Sequence, residues 1–170
     1  MITKIKVFII LMFLSTVQLS SYGQDQVNTN ENARFRNALG IGAGFTTGIG
    51  VSYRYYFSKF GIQATFGPLQ DNDTYRYSAG LTFIYNLIET SKTNFFLYQG
   101  NHYFYTREKY HGSYYSFNNQ TTKYFNNGVG MGLEFIILKR VSFNLMGGYG
   151  VYKNFKYFSL TGETGLYFKF

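Results

Sequence analysis

Few side chains in this sequence have the type and spacing to do chemistry. There are two histidines, His102 and His111, and no cysteine. A metal site needs three or four converging ligands, and neither histidine has a local partner at such spacing, so no metal and no cofactor is expected. His102 could act as the base of a Ser-His hydrolase, but no serine stands in the context of its nucleophile, and no catalytic residue is assigned. Glycine pairs such as Gly40-Ile41-Gly42 follow strand parity and precede no helix, against a dinucleotide-binding loop. Four charges remain, Arg54, Arg76, Glu134 and Glu163, each on the glycine-bearing face of an alternating segment. Two of each sign predict a structural ion-pair network, with a gate or proton path as the sharper alternative.

The elements that hold these charges are strands. Alternation of apolar and polar residues with a period of two runs through most of the chain. In 37–57, Leu39, Ile41, Ala43 and Phe45 face one way and Gly40, Gly42 and Gly44 the other. As one strand this stretch would run about 66 Å at roughly 3.3 Å per residue, so it is broken near Thr46-Thr47 into strands one and two. Strand three is 60–67, followed by a loop at 68–73 on its Pro, Asn and Asp content. Strand four (74–87) alternates most clearly. Strand five (94–106) has no single phase, because Gln99 and Asn101 interrupt one face and Gly100 and His102 the other; a bulge, or extension beyond the membrane, is expected. A long connection at 107–122 leads to strand six (123–137), then strand seven from Val141 and strand eight over 158–170.

Strand eight ends the sequence on Leu166, Phe168 and Phe170, all of one parity. The expected fold is all-β, an eight-stranded antiparallel up-and-down transmembrane barrel. A bilayer offers no water to an open strand edge, so a spanning sheet must close on itself. Only alternate residues of such a barrel face lipid, so it needs no long apolar run. Eight strands leave an interior just wide enough for side chains to fill. The inward glycines are expected to make room for Arg54, Tyr56, Arg76, Tyr152 and Tyr167, and a filled lumen argues against free passage of solutes. Outward pairs such as Tyr75-Tyr77 and Phe168-Phe170 are expected to form interfacial aromatic girdles.

Composition agrees. There are 18 Tyr, 19 Phe and 19 Gly against one Pro, which suits strands and short turns. Residues 1–23 read as a cleaved secretory signal: Lys4 and Lys6, an apolar run from Val7 to Val17, then Ser21-Tyr22-Gly23. Residues 24–36 read as a flexible lead-in, and 37–170 as the barrel. The formal charge of +8 is compatible with nucleic acid, an anionic membrane surface, or nothing beyond solubility. A secreted chain rarely meets nucleic acid, so Lys109, Lys123, Lys153 and Lys156 are read as contacts to lipopolysaccharide or as solvated charge.

With the signal segment, the alternating strands, the YRYYF run of strand two and the terminal LYFKF, the chain resembles small eight-stranded outer-membrane β-barrels of the OmpA/OmpX type. It looks most like the short barrels common in Bacteroidetes. The resemblance implies an integral outer-membrane protein. It would have a structural, adhesion or surface-interaction role through its extracellular loops, 107–122 above all. It also implies that Leu166, Phe168 and Phe170 form a C-terminal signal read by the barrel-assembly machinery. The implied partners are outer-membrane lipid and lipopolysaccharide, with no nucleic acid. Alternatives are a lipid-modifying barrel enzyme, or a soluble secreted barrel holding an apolar ligand.

Overall fold

The computed structural model describes residues 35–71, 74–108 and 120–170. In them eight strands run in chain order around a closed barrel: β1 (Asn37–Gly44), β2 (Gly48–Tyr56), β3 (Phe60–Asp71), β4 (Thr74–Glu89), β5 (Thr93–Glu108), β6 (Gln120–Leu138), β7 (Val141–Tyr152) and β8 (Tyr157–Lys169). All neighbours are antiparallel, and closure is made by β1 and β8 from Ala38↔Lys169 to Gly44↔Glu163. At the seam's end the Phe170 and Asn37 N–H groups donate to each other's carbonyls at 2.9 and 3.3 Å. The turns 57–59, 90–92 and 139–140 lie at this end of the barrel. The opposite end, here the loop end, carries the turns 45–47 and 153–156 and the connections β3–β4 and β5–β6.

The pleat sends successive side chains to opposite faces, and the sequence alternation therefore becomes two walls. Outward stand Ile41, Val51, Phe66, Leu81, Leu97, Met131, Leu145 and Leu166, all exposed. Inward and buried stand Arg54, Gln63, Thr82, Asn144, Glu134 and Glu163, with an apolar cluster of Tyr56, Ile84, Phe96, Tyr98 and Met146 among them. Residues of 55–60 and 83 form a ring ladder on the outside: Tyr55–Phe57, Phe57–Phe60 and Phe60–Phe83, with centroids 4.9, 6.3 and 6.1 Å apart.

Several strands run longer than the pattern predicts. The expected loop at 68–73 is mostly strand, since β3 continues to Asp71, opposite Thr74 of β4. Pro68 is tolerated there because pairing between β2 and β3 stops at Val51↔Phe66, leaving an edge where a missing N–H is cheap. The expected connection 107–122 shortens, because Arg107↔Thr121 and Glu108↔Gln120 are strand pairs. Its remaining residues 109–119, with His111 and Lys109, lie outside the described residues, as do 1–23 and 24–34. The bulge expected in strand five is on its neighbour instead, between Asn86 and Ile88 of β4. β5 keeps one register with β6 throughout, so Gln99 and Asn101 face outward.

Candidate functional site: the lumen and its loop-end mouth

The four charges singled out from the sequence do not form one network. Arg54 and Glu134 come together: Nη1 lies 3.6 Å from Oε1, with both residues fully inside. The Arg54 guanidinium stacks on the Tyr167 ring at 3.7 Å, and its Nε donates to Gln63 Oε1 at 2.6 Å. Glu134 has a second cation that the sequence reading passed over, Lys169, whose Nζ lies 2.8 Å from Oε2. Asn94 Nδ2 and Ser142 Oγ complete its donors at 2.8 and 2.9 Å. Arg76 stands apart, exposed on the loop half of β4; no ion pair among the described residues joins it to the other three. It sits too close to the rim for the glycine-lined interior to enclose it. Lys169 was legible, since it has the parity of Glu163.

Glu163 does something else. Among the described residues no cation reaches it; it holds the first turn of the chain inside the barrel. The turn after β1 bends inward over the lumen, with Phe45 exposed at the barrel's mouth and Thr46 and Thr47 fully buried. The bend needs left-handed backbone at Gly48 (φ 90°), which a side chain would strain. Glu163 Oε1 accepts from the Thr46 N–H at 3.2 Å and from the hydroxyls of Thr46 and Thr161, and Oε2 accepts from Thr47 Oγ1.

The receiving wall is made of glycine. Gly100, Gly128 and Gly150 are direct cross-strand partners on β5, β6 and β7. A Cβ at Gly128 would lie 2.7 Å from Thr46 Oγ1, one at Gly100 2.6 Å from the Thr46 carbonyl oxygen, and one at Gly80 would collide with the Thr47 carbonyl. These inward glycines were expected to make room for large side chains. Gly42 and Gly165 do so for Tyr167 and Gly150 for Tyr152, but in the row with Gly150, Gly100 makes room for the Thr46 carbonyl and Gly128 for the Thr46 side chain. Sequence inspection could have aligned that row only with the register in hand.

The same turn ties down a serine–histidine pair. Ser78 Oγ lies 2.9 Å from His102 Nε2, and His102 Nδ1 lies 3.0 Å from the Phe45 carbonyl. That carbonyl can only accept, so Nδ1 carries the ring proton and Ser78 donates its own to Nε2. Ser78 Oγ in turn accepts from the Ile49 N–H at 2.8 Å, and Asn126 Nδ2 donates to the Phe45 carbonyl at 3.0 Å. A serine within reach of His102 was not expected from the sequence. The pair is nonetheless under the turn, with Ser78 1% and His102 3% exposed. A nucleophile there has no approach for an acyl group, and its hydrogen bonds are committed to the backbone of the turn.

Above the turn the mouth of the barrel is a hollow of about 360 Å³ lined by Phe45, Tyr124, Asn126, Tyr152, Lys153 and Tyr157. Its rim at 153–155 is strained, with Lys153, Asn154 and Phe155 at φ 50°, 60° and 67°. It is held by β6: Asn154 exchanges bonds with Phe125 (N–H to carbonyl 3.0 Å, Oδ1 from N–H 2.9 Å), and the Lys153 N–H donates to Asn126 Oδ1 at 3.0 Å. Among the described residues no group of three or more His, Asp or Glu could hold a metal ion.

Comparison with known proteins finds likeness of structure only. No protein-family model matches the chain, and no curated protein sequence does. The N-terminal β-barrel domain of Pseudomonas aeruginosa OprF superposes with a TM-score of 0.50 at 13% identity, covering 79% of this chain and 95% of that one. Neisserial surface protein A gives 0.47 at 18% identity over 79% and 93% of the two chains. The Yersinia pestis outer membrane protein Ail gives 0.47 at 16% identity over 80% and 99%. At these identities the likeness is one of fold: a small eight-stranded barrel of the OmpA/OmpX type.

Proposed function

We propose that the chain is a non-enzymatic integral outer-membrane protein that works at its loop end, in envelope structure, adhesion or another surface interaction. The observation that carries this reading is the distribution of side chains over the two walls. Exposed Leu, Ile, Val, Phe and Tyr cover the outside, while Arg54, Glu134, Glu163 and the buried amides and hydroxyls are inside. A soluble barrel holding an apolar ligand needs the reverse. Reversing a strand in lipid would put its charge outside, at a cost of about 2–4 kcal/mol for an arginine at the midplane.

The filled interior favours surface work over transport. Arg54, Tyr167, Phe96 and Ile84 block the half nearer the short turns and Thr46 and Thr47 the other, leaving the mouth, its aromatic rings and Lys153 as the part that can meet a partner. Lys123, Lys153 and Lys156 at the loop end suit the phosphates of lipopolysaccharide. Leu166, Phe168 and Phe170, exposed in one row beside the seam, suit recognition by the barrel-assembly machinery after removal of 1–23. The lipid-modifying enzyme is disfavoured by the burial of Ser78 and His102.

The test is cell fractionation followed by gel electrophoresis in SDS with and without boiling. The protein is expected in the outer-membrane fraction, with a mobility that changes on boiling. Identical mobility and recovery in the soluble fraction would overturn the reading. Ser78→Ala should leave the lipid A of expressing cells unchanged by mass spectrometry relative to wild type; a wild-type-specific acyl loss would revive the enzyme.

A further inference from the structure

Among the described residues the outer wall is apolar over the reach of a bilayer except for Thr164 and one cluster of amides. On β5 the outward residues run Phe95, Leu97, Gln99, Asn101, Tyr103, Tyr105, and beside them on β6 stands Asn127, the partner of Asn101. From Phe95 to Tyr105 is about 33 Å at roughly 3.3 Å per residue, or about 23 Å of depth at a tilt of about 45°. The amides are at the middle of that depth, out of reach of lipid headgroups. Around them are Leu81, Phe83, Val129 and Met131. The other polar side chain at such depth, Thr164, is satisfied by the Asn144 carbonyl at 3.0 Å.

The three amides are only partly satisfied by one another. Gln99 and Asn101 exchange bonds at 3.0 and 3.1 Å, Asn127 Nδ2 donates to Asn101 Oδ1 at 2.8 Å, and Asn101 Nδ2 reaches the Leu81 carbonyl at 3.3 Å. That leaves one N–H of Gln99, one of Asn127 and the Asn127 Oδ1 without a partner among the described residues. Hydrocarbon supplies none, and each unmet group is costly there. Beside them is a hollow of about 530 Å³ lined by Ala79, Gly80, Leu81, Asn101, Tyr103 and Phe125, where small residues on β4 are flanked by rings.

We propose that this patch is the contact through which two copies of the chain associate side by side in the membrane. An unpaired donor and an unpaired acceptor on one amide are self-complementary across a two-fold axis. The patch carries no charge, so its partner needs none. The adjoining hollow accepts an aromatic side chain of the facing copy. Hydrogen bonds between side chains drive association inside membranes, where burial of apolar surface does not. The inference rests on the membrane reading above.

The chain's lack of cysteine makes the test direct. Val129→Cys, beside the amides, and Leu145→Cys, on β7, are reconstituted into phospholipid vesicles and mildly oxidised. Both variants are first checked for boiling-dependent gel mobility. Val129→Cys is expected to give a disulfide-linked dimer and Leu145→Cys essentially none. Adding Gln99→Leu, Asn101→Leu and Asn127→Leu to Val129→Cys should weaken dimerisation about tenfold or more. Equal crosslinking at both positions would overturn the proposal, as would a triple variant that dimerises like its parent. So would crosslinking in cells only to a different protein. Were the parent protein itself absent from membranes, the membrane reading would fall and this inference with it; a barrel that inserts and stays monomeric overturns the dimer alone.

Discussion

Two glutamates, both buried, do different work because of what surrounds them. Glu134 is held by two cations, Arg54 and Lys169, and removing it would leave Arg54 buried without a carboxylate. Glu134→Ala should cost about 3–5 kcal/mol. It is read as a lower temperature at which the unboiled, fast-migrating gel band is lost. Arg54→Ala should cost less, because Lys169 still neutralises Glu134. Glu163 faces hydroxyls and one amide N–H. Glu163→Ala should insert normally but strip those donors of their acceptor, at about 1–3 kcal/mol for each left buried. Unchanged heat resistance in Glu163→Ala would mean that the inward bend of the turn does not depend on it. The sequence made these residues inward-facing, and parity sufficed for that. It could not tell that Glu163 meets Thr46 and Thr47 rather than Arg76, because a strand pattern fixes which wall a residue is on and says nothing of its height.

At the scale of elements, the eight strands and the facing of all but strand five were legible from alternation, and the turn at Thr46-Thr47 was found where expected. The ends of strands were not. Pro68 and the Asn and Asp after it read as a loop, yet β3 runs on as an edge beside β4, since proline is excluded only where its N–H is needed. The inward fold of the first turn was also hidden. It follows from a mismatch of lengths: β1 and β2 have 8 and 9 residues, whereas β4 and β5 have 16 each. The short hairpin therefore stops well inside the longer wall, and its turn finds the glycine row there. The rim at 153–155 is held against its own backbone preference. Asn154→Ala should remove the bond to the Phe125 N–H and destabilise by about 1 kcal/mol. Lys153→Gly should raise stability by about 1 kcal/mol through relief of left-handed strain. Both are read from the same heated gels, and a loss of stability in Lys153→Gly would mean that the lysine side chain contributes more than its backbone costs.

As a whole molecule, the barrel is apolar outside, packed inside, and closed at the loop end by its own first turn. That arrangement suits a protein whose partners come to its mouth or its flank rather than through it. Formal charge and aromatic content were compatible with a membrane barrel but could not say whether the lumen was open, since that depends on where the three-residue turn 45–47 goes. Hydrogen–deuterium exchange of the barrel in lipid bilayers tests that most directly. The Thr46 and Ile49 N–H groups, bonded to Glu163 and Ser78, are expected to be as protected as those of β1, with Thr46 losing that protection in Glu163→Ala. Exchange at Thr46 and Ile49 as fast as in the exposed turn at 139–140 would contradict the account, because the first turn would then lie in water and the lumen would be open at that end.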